Sequence, residues 1–217
     1  MTSTIRCLKQ KYRVVRDPIY RLFRLKEINF LKTFIDEDMS IFSMNCFGGR
    51  IYQDLHRKYT SPTVGLFFSA SDFNKILKDI TIIKNELTFI TPPQQPIASC
   101  SYPIAVIKGT DIKIHFLHYK NEKEAKEKWE RRVSRFNFEN YIAIGVYQNG
   151  CTEDILREFS AIPVSKKFFF STKKMDIPGV LYTPEYDGLE SHPDVVKYAN
   201  VFYRHLVRYI KQQNGHK

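Results

Sequence analysis

From residue 40 onward, short apolar runs of strand length alternate with amphipathic stretches of helical length. That alternation constrains the fold more than any other feature of the chain. Residues 40–44, 63–68, 141–147, 166–171 and 179–182 read as strands, and several are apolar at nearly every position. A strand without a polar face must be covered on both sides, as in a parallel sheet flanked by helices. The stretches between them carry apolar residues at helical spacing. Residues 48–57 predict one helix. A second starts at Ser71 or Asp72 as its cap and runs to about residue 85. Residues 122–136 predict a third, acidic at its start and basic at its end as the helix dipole prefers. Thr152 opens a fourth through residue 159. Pro193 and Asp194 start a last one reaching about residue 212. Residues 102–108 and 111–119 flank Gly109-Thr110, a hairpin signal for two antiparallel strands. The predicted class is α/β: three layers, α/β/α, with a mixed, largely parallel sheet that includes one hairpin. In such sheets ligands bind beyond the C-terminal strand ends.

The 217 residues suit an N-terminal helical segment, residues 1–37, and one α/β domain, residues 38–217. In the first segment Leu8, Tyr12, Val15, Ile19 and Leu22 recur at helical spacing, and Pro18 kinks or restarts that helix. In the first thirty residues Arg6, Lys9, Lys11, Arg13, Arg16, Arg21, Arg24 and Lys26 face only Asp17 and Glu27, in a chain of net charge +11. Such a segment docks on its own domain, pairs with a second copy as a homodimer contact, or lies on an anionic membrane surface. No nucleic-acid module is present, so nucleic acid ranks last among partners. Cys7, Cys46, Cys100 and Cys151 form no CxxC pair and no zinc spacing, so no metal site is expected and no cofactor is named. The expected setting is the cytoplasm, with peripheral attachment at the inner membrane surface as the alternative.

Five polar clusters are candidates for chemistry. Asn45-Cys46-Phe47-Gly48-Gly49 joins a strand to a helix. Its glycines permit close approach and positive φ, and helix-start N–H groups attract an anion or lower the pKa of Cys46. A tight structural turn with a buried thiol explains it equally well. Ser61-Pro62-Thr63 leads into the next predicted strand. In residues 111–119, strand alternation puts His118 on the face of Ile112, Ile114 and Phe116, and His115 on the other. His118 is the candidate acid/base, with a satisfied core histidine as the alternative. In Trp129-Glu130-Arg131-Arg132 with Arg135, Arg132 lies one turn from Trp129 and from Arg135, so these can share a face suited to a sugar or phosphate; core packing of Trp129 and a salt bridge to Glu130 or Glu139 are the alternative. Gln148-Asn149-Gly150-Cys151-Thr152 is a turn whose Gln148 and Asn149 face the same cleft as Cys46 and His118 if their strands are neighbours.

Taken in order, Asn45-Cys46-x-Gly48-Gly49, Ser61-Pro62-Thr63, Tyr102-Pro103, Ile114-His115-Phe116-Leu117-His118-Tyr119, Trp129-x-Arg131-Arg132 with Asn137, and Asn149-Gly150-Cys151-Thr152 resemble a bacterial family. It is catalogued as domain of unknown function nineteen-nineteen, and its members are often labelled exopolysaccharide biosynthesis proteins. The resemblance spans about residues 38–186. The family's first motif commonly reads Ser-Asn-Asn-Cys-Trp; here Met44 and Phe47 replace its second and fifth residues, and a tryptophan there would suit stacking on a sugar. The resemblance implies a sugar-handling protein, such as a glycosyl or related transferase acting on an activated sugar. The alternative is a noncatalytic glycan or nucleotide-sugar binding or assembly protein. No Asp-x-Asp metal–diphosphate pair stands out, although Asp36-Glu37-Asp38 precedes the first strand. A transferase would therefore be metal-independent. The candidate catalytic residues are His118 and Cys46. The candidate ligand-binding residues are Asn45, Gly48, Gly49, Trp129, Arg131, Arg132 and Asn149.

Overall fold

The computed structural model describes residues 24–90, 102–148 and 150–215. In chain order the elements are α1 (Leu25–Phe34), β1 (Ser40–Ser43), α2 (Phe47–Asp54), α3 (Ala70–Lys78), a 3-10 turn (Ile80–Lys84), β2 (Leu87–Ile90), β3 (Ile104–Ile107), β4 (Lys113–His115), α4 (Glu122–Val133), β5 (Tyr141–Val146), α5 (Glu153–Ala161), β6 (Lys167–Ser171), β7 (Val180–Tyr182) and α6 (Ala199–Gly215). The fold is α/β. A four-stranded parallel sheet has the order β1-β5-β6-β7. The expected hairpin forms, but β3 and β4 join β2 in a small antiparallel sheet of their own.

The parallel sheet is apolar on both faces because both are covered. Ile41, Ile142, Ile144, Val146, Phe168, Phe170 and Leu181 pack with α1, α2 and α6. Phe42, Ala143, Phe169 and Val180 pack with α3, α4, α5 and the small sheet. The switch of face along each strand follows from the two-residue side-chain period. Gly145 lacks a side chain for a reason of packing. A Cβ there would lie 2.2 Å from the Phe169 ring, which occupies that space against Phe159.

Strand β1 lies at the sheet edge, and its two sides are satisfied differently. On the inner side the Ser40 and Met44 amides donate to the Asn140 and Ile144 carbonyls. On the outer side the Ile41 amide donates to the Tyr52 hydroxyl at 2.8 Å, and the Ser43 amide to Thr63 Oγ1 at 3.1 Å. Thr60 Oγ1 holds the Tyr52 hydroxyl and Ser61 Oγ holds Thr63 Oγ1. Residues 63–68, expected to be a strand, are thus a loop that covers this edge with side-chain oxygens. Only Phe67 forms a bridge, to His115, and Phe68 donates to the Met44 carbonyl. A hydroxyl-rich stretch can satisfy an edge without pairing as backbone, which strand periodicity cannot distinguish.

Other differences are local. The helix expected to reach residue 85 stops at Lys78; Asp79 leaves the helical region (φ −143°, ψ 89°) and its carboxylate caps the following turn at Thr81. The β-branched run Ile80-Thr81-Ile82-Ile83 disfavours a continuing helix. That helix is capped by Ser69, which accepts from Asp72 N, rather than by Ser71 or Asp72. The last helix begins at Ala199, after a turn capped by Asp194. Strand β2 was not expected. Of the N-terminal segment expected over residues 1–37, residues 1–23 lie outside the described residues; Leu25–Phe34 packs against α6. No helix among the described residues is long and apolar enough to cross a membrane.

Substituting Gly145→Ala tests the Phe169 contact. Its methyl must displace a buried ring, so unfolding by denaturant should show a loss of about 1–3 kcal/mol, the usual cost of overpacking a core. A variant as stable as the parent would show that the ring has room to move.

Candidate functional site

The connections leaving β1 and β5 go to opposite faces of the sheet. After β1 the chain enters α2, packed with α1 and α6; after β5 it enters α5, packed with α3. Two adjacent parallel strands whose connections diverge leave a crevice beyond their C-terminal ends. A cleft lies there. Its larger lobe, about 630 Å³, is lined by Asn45 and Cys46 after β1, Gln148 after β5, and Asp194 among others. A smaller lobe of about 300 Å³ is lined by Gly49, Val64, Gly65, Tyr119, Lys128 and Arg132. Cys46, Arg50, Gln53, His118 and Val196 border both lobes.

The floor is a chain of amides. Asn45 Nδ2 donates to Gln148 Oε1 at 3.0 Å across the two strand ends, 103 residues apart. Asn45 Oδ1 accepts from the Phe47 amide at the start of α2. Gln148 Nε2 donates to the His192 carbonyl at 2.7 Å, holding the turn that carries Asp194. His192 itself is buried, with Nε2 2.6 Å from Thr183 Oγ1, and burial pushes its imidazole down to about 4.

The smaller lobe is basic. Arg132 is only 7% exposed, yet its guanidinium borders the cleft. Its Nη1 donates to the Val64 carbonyl at 3.0 Å and to the Tyr119 hydroxyl at 2.5 Å, and the same tyrosine donates to that carbonyl. Its plane lies over Tyr59. Among the described residues Nε and Nη2 make no hydrogen bond, so one guanidinium edge is clamped and the other is available. Gly65 makes the clamp possible. It sits at φ +82°, and a Cβ would press within 3.3 Å of the Tyr119 ring. Arg50 is held from behind by Asp54, which also accepts a bidentate pair from Arg24 and the Tyr203 hydroxyl. With Lys128 and Lys197, four cations line the cleft; Arg50 is paired with Asp54 and Lys128 with Glu124 at 2.6 Å, and Asp194 is the carboxylate among the lining residues.

Of the residues singled out in the sequence, Asn45, Cys46, Gly49, His118 and Arg132 border this cleft, as does Gln148. Others lie elsewhere. Gly48 is buried against β1, where a Cβ would lie 2.7 Å from Ser43 Cβ, and neither Gly48 nor Gly49 uses positive φ. Trp129 is core: it is 2% exposed, packs edge-on to Phe116 and donates to the Ile83 carbonyl. Arg131 is exposed one position round the helix from Arg132. Phe47 is buried among Phe170, Phe202 and Tyr203 and has no free face for a sugar. Asn149 lies outside the described residues. Asp36 and Asp38 bind Asn140 and Asn137 at the opposite end of the sheet.

Two chemical expectations change. His118 is exposed at the cleft mouth rather than on the apolar face, because β4 ends at His115 and the chain turns. The Cys46 thiol is pushed up to about 11, first by burial and then by the Asp194 carboxylate, so the lowering expected from the helix start is outweighed. Arg50, Gln53, Lys128 and Asp194 were not foreseen in the cleft. For Arg50 and Gln53 the signal was their one-turn spacing on the helix after Gly49.

This chain belongs to a family. A sequence model of the family described as "Domain of unknown function (DUF1919)" matches residues 19–214. A protein of Haemophilus influenzae (strain ATCC 51907 / DSM 11121 / KW20 / Rd), described as an uncharacterized protein, is similar: 35% identical over 139 residues. The match covers 64% of this chain and 64% of that relative. Among the described residues no three His, Cys, Asp or Glu side chains group as a metal-binding set.

The raised pKa makes Cys46 a slow nucleophile near neutral pH. Against a thiol of pKa 9, its thiolate fraction at pH 7.5 is about 100-fold smaller. Peptide-resolved iodoacetamide labelling should show Cys46 slow at pH 7.5 and accelerating up to about pH 11. Asp194→Asn, which keeps a capping oxygen but removes the charge, should shift that rise to lower pH. Fast labelling at pH 7.5 would return Cys46 to the list of nucleophiles.

Proposed function

We propose that the cleft is the site of a sugar-handling transferase acting on a phosphate-activated sugar. The observation that carries this reading is Arg132: a nearly buried guanidinium, clamped on one edge and open on the other, at the sheet's topological switch point. A preorganised arginine edge suits a phosphate bidentately and loses little freedom on binding. Lys128 and Arg50, each held by a carboxylate from behind, place further N–H donors beside it. Asn45 and Gln148 line the larger lobe, and the amide donors and acceptors not spent on each other, on Phe47 or on His192 remain for the rest of the activated donor.

In the transfer step the bond from the sugar's anomeric carbon to the phosphate oxygen breaks, and the electron pair leaves with the phosphate. An acceptor hydroxyl forms the new bond to that carbon and gives up its proton. His118 is the one histidine on the described cleft border and the group assigned to receive that proton. Arg132 stabilises the charge gathering on the departing phosphate. The exopolysaccharide label common in this family agrees with such chemistry and adds no residue to it.

A second reading is specific to the same geometry: a noncatalytic glycan or nucleotide-sugar binding protein, favoured by the high pKa of Cys46, which removes one candidate nucleophile. Calorimetric titration with sugar 1-phosphates and nucleotide sugars, together with assays of donor consumption, separates them. Arg132→Ala should weaken binding at least tenfold. His118→Ala should keep binding and lower turnover about 100-fold. Wild-type binding without turnover against a broad acceptor set supports the second reading. No binding of any phosphorylated sugar overturns the transferase reading and the nucleotide-sugar form of the second.

A further inference from the structure

The larger lobe of the cleft differs chemically from the basic one. Among the described residues three large apolar side chains are exposed, Leu25, Leu117 and Leu189, and Leu117, 40% exposed, stands on the border of this lobe. Phe67 stands beside it, with Val195 and Val196 also on the lobe's wall. Phe67 is held unusually firmly for a half-buried ring. Its amide donates to the His115 carbonyl at 3.0 Å, and the His115 amide returns a bond at 3.1 Å. Its ring lies parallel to the His115 imidazole, centroids 4.4 Å apart and planes within 11°, with Tyr102 edge-on at 6.2 Å. Burial lowers the affinity of that imidazole for a proton and favours the uncharged stacked pair. The result is a rigid aromatic platform that loses little rotamer freedom when something stacks on it.

At the floor of the same lobe stand the Asn45 and Gln148 amides, and Gln53 stands where the two lobes meet. A flat partner with a π-face and an edge of hydrogen-bond donors and acceptors matches this set. An acyl chain would leave the amides unused, and a sugar phosphate seated at Arg132 would leave the platform empty. We infer that the larger lobe seats the base of a nucleoside diphosphate whose phosphates lie in the smaller lobe. This inference rests on the phosphate reading of Arg132 and adds the identity of the activating group.

Calorimetric titration of the full chain with pyrophosphate and with the uridine, cytidine, adenosine, guanosine and thymidine diphosphates tests it. At least one nucleoside diphosphate should bind tenfold or more tightly than pyrophosphate. Phe67→Leu keeps an apolar side chain but no flat face; it should abolish that preference and leave pyrophosphate affinity within about twofold. Arg132→Ala should weaken both ligands, and thermal melting of each variant checks that it is folded. Nucleoside diphosphates no tighter than pyrophosphate, or a Phe67→Leu variant with its preference intact, would overturn the base seat and spare the phosphate site. A long-chain alkyl phosphate binding more tightly than every nucleotide would assign the lobe to a lipid chain instead. Binding of neither pyrophosphate nor any nucleotide would remove the phosphate reading, and this inference with it.

Discussion

Strand β1 is a four-residue edge strand, and the cleft exists because its outer amides are satisfied by side chains rather than by another strand. Unpaired backbone at a sheet edge either recruits a further strand or must be covered. Here Tyr52 from α2 and Thr63 from the following loop supply the acceptors, so the sheet stops at β1. The loop that supplies Thr63 continues through Val64 and Gly65 to the cleft wall. One arrangement therefore closes the sheet and delivers the Val64 carbonyl to which Arg132 is clamped. Covering an edge and building the basic lobe are the same structural event.

Charge is handled by a related economy. Asp54 is buried and receives Arg24, Arg50 and Tyr203, from the chain before α1, from α2 and from α6. A buried carboxylate survives only with its lone pairs matched, and two guanidiniums match them in geometry as well as in sign. The pairing locks the helix layer on one face of the sheet and sets Arg50 at the cleft floor with little freedom left to lose. Arg132 is locked from the other face of the sheet, through α4. Positive charge thus reaches the cleft from both helical layers, each guanidinium held by contacts that also stabilise the fold.

Periodicity made the main sheet legible. The runs at 40–44, 141–147, 166–171 and 179–182 are apolar on both faces because helices cover both, and no solvent-facing alternative fits them. The convergence of Asn45, Cys46 and Gln148 was also readable, since residues just after parallel strands share one rim of a sheet. What failed has a common cause: a hydrogen-bonding or packing partner distant in sequence. Residues 63–68 look like a strand until Thr63 is seen serving β1. Trp129 and Phe47 look like sugar-stacking rings until Phe116 and Phe202 enclose them. His118 follows strand alternation only if β4 continues, and it stops three residues earlier where Phe116 turns into the core.

Cys46 shows how such distant partners decide chemistry. From the sequence alone, a thiol at a helix start beside two glycines reads as an activated nucleophile. The fold places it between two lobes, largely out of water, with the Asp194 carboxylate nearby. Desolvation and like charge both oppose the thiolate, and together they exceed whatever the eight-residue helix α2 contributes. The same burial that silences the thiol favours the rest of the site. Arg50 and Arg132 are themselves nearly buried, so their pull on an anion is less screened by water than that of a surface cation. On the proposed transferase reading, a cleft built this way would work through electrostatic complementarity and oriented amides rather than through a covalent cysteine intermediate, and proton movement would fall to His118 at its mouth.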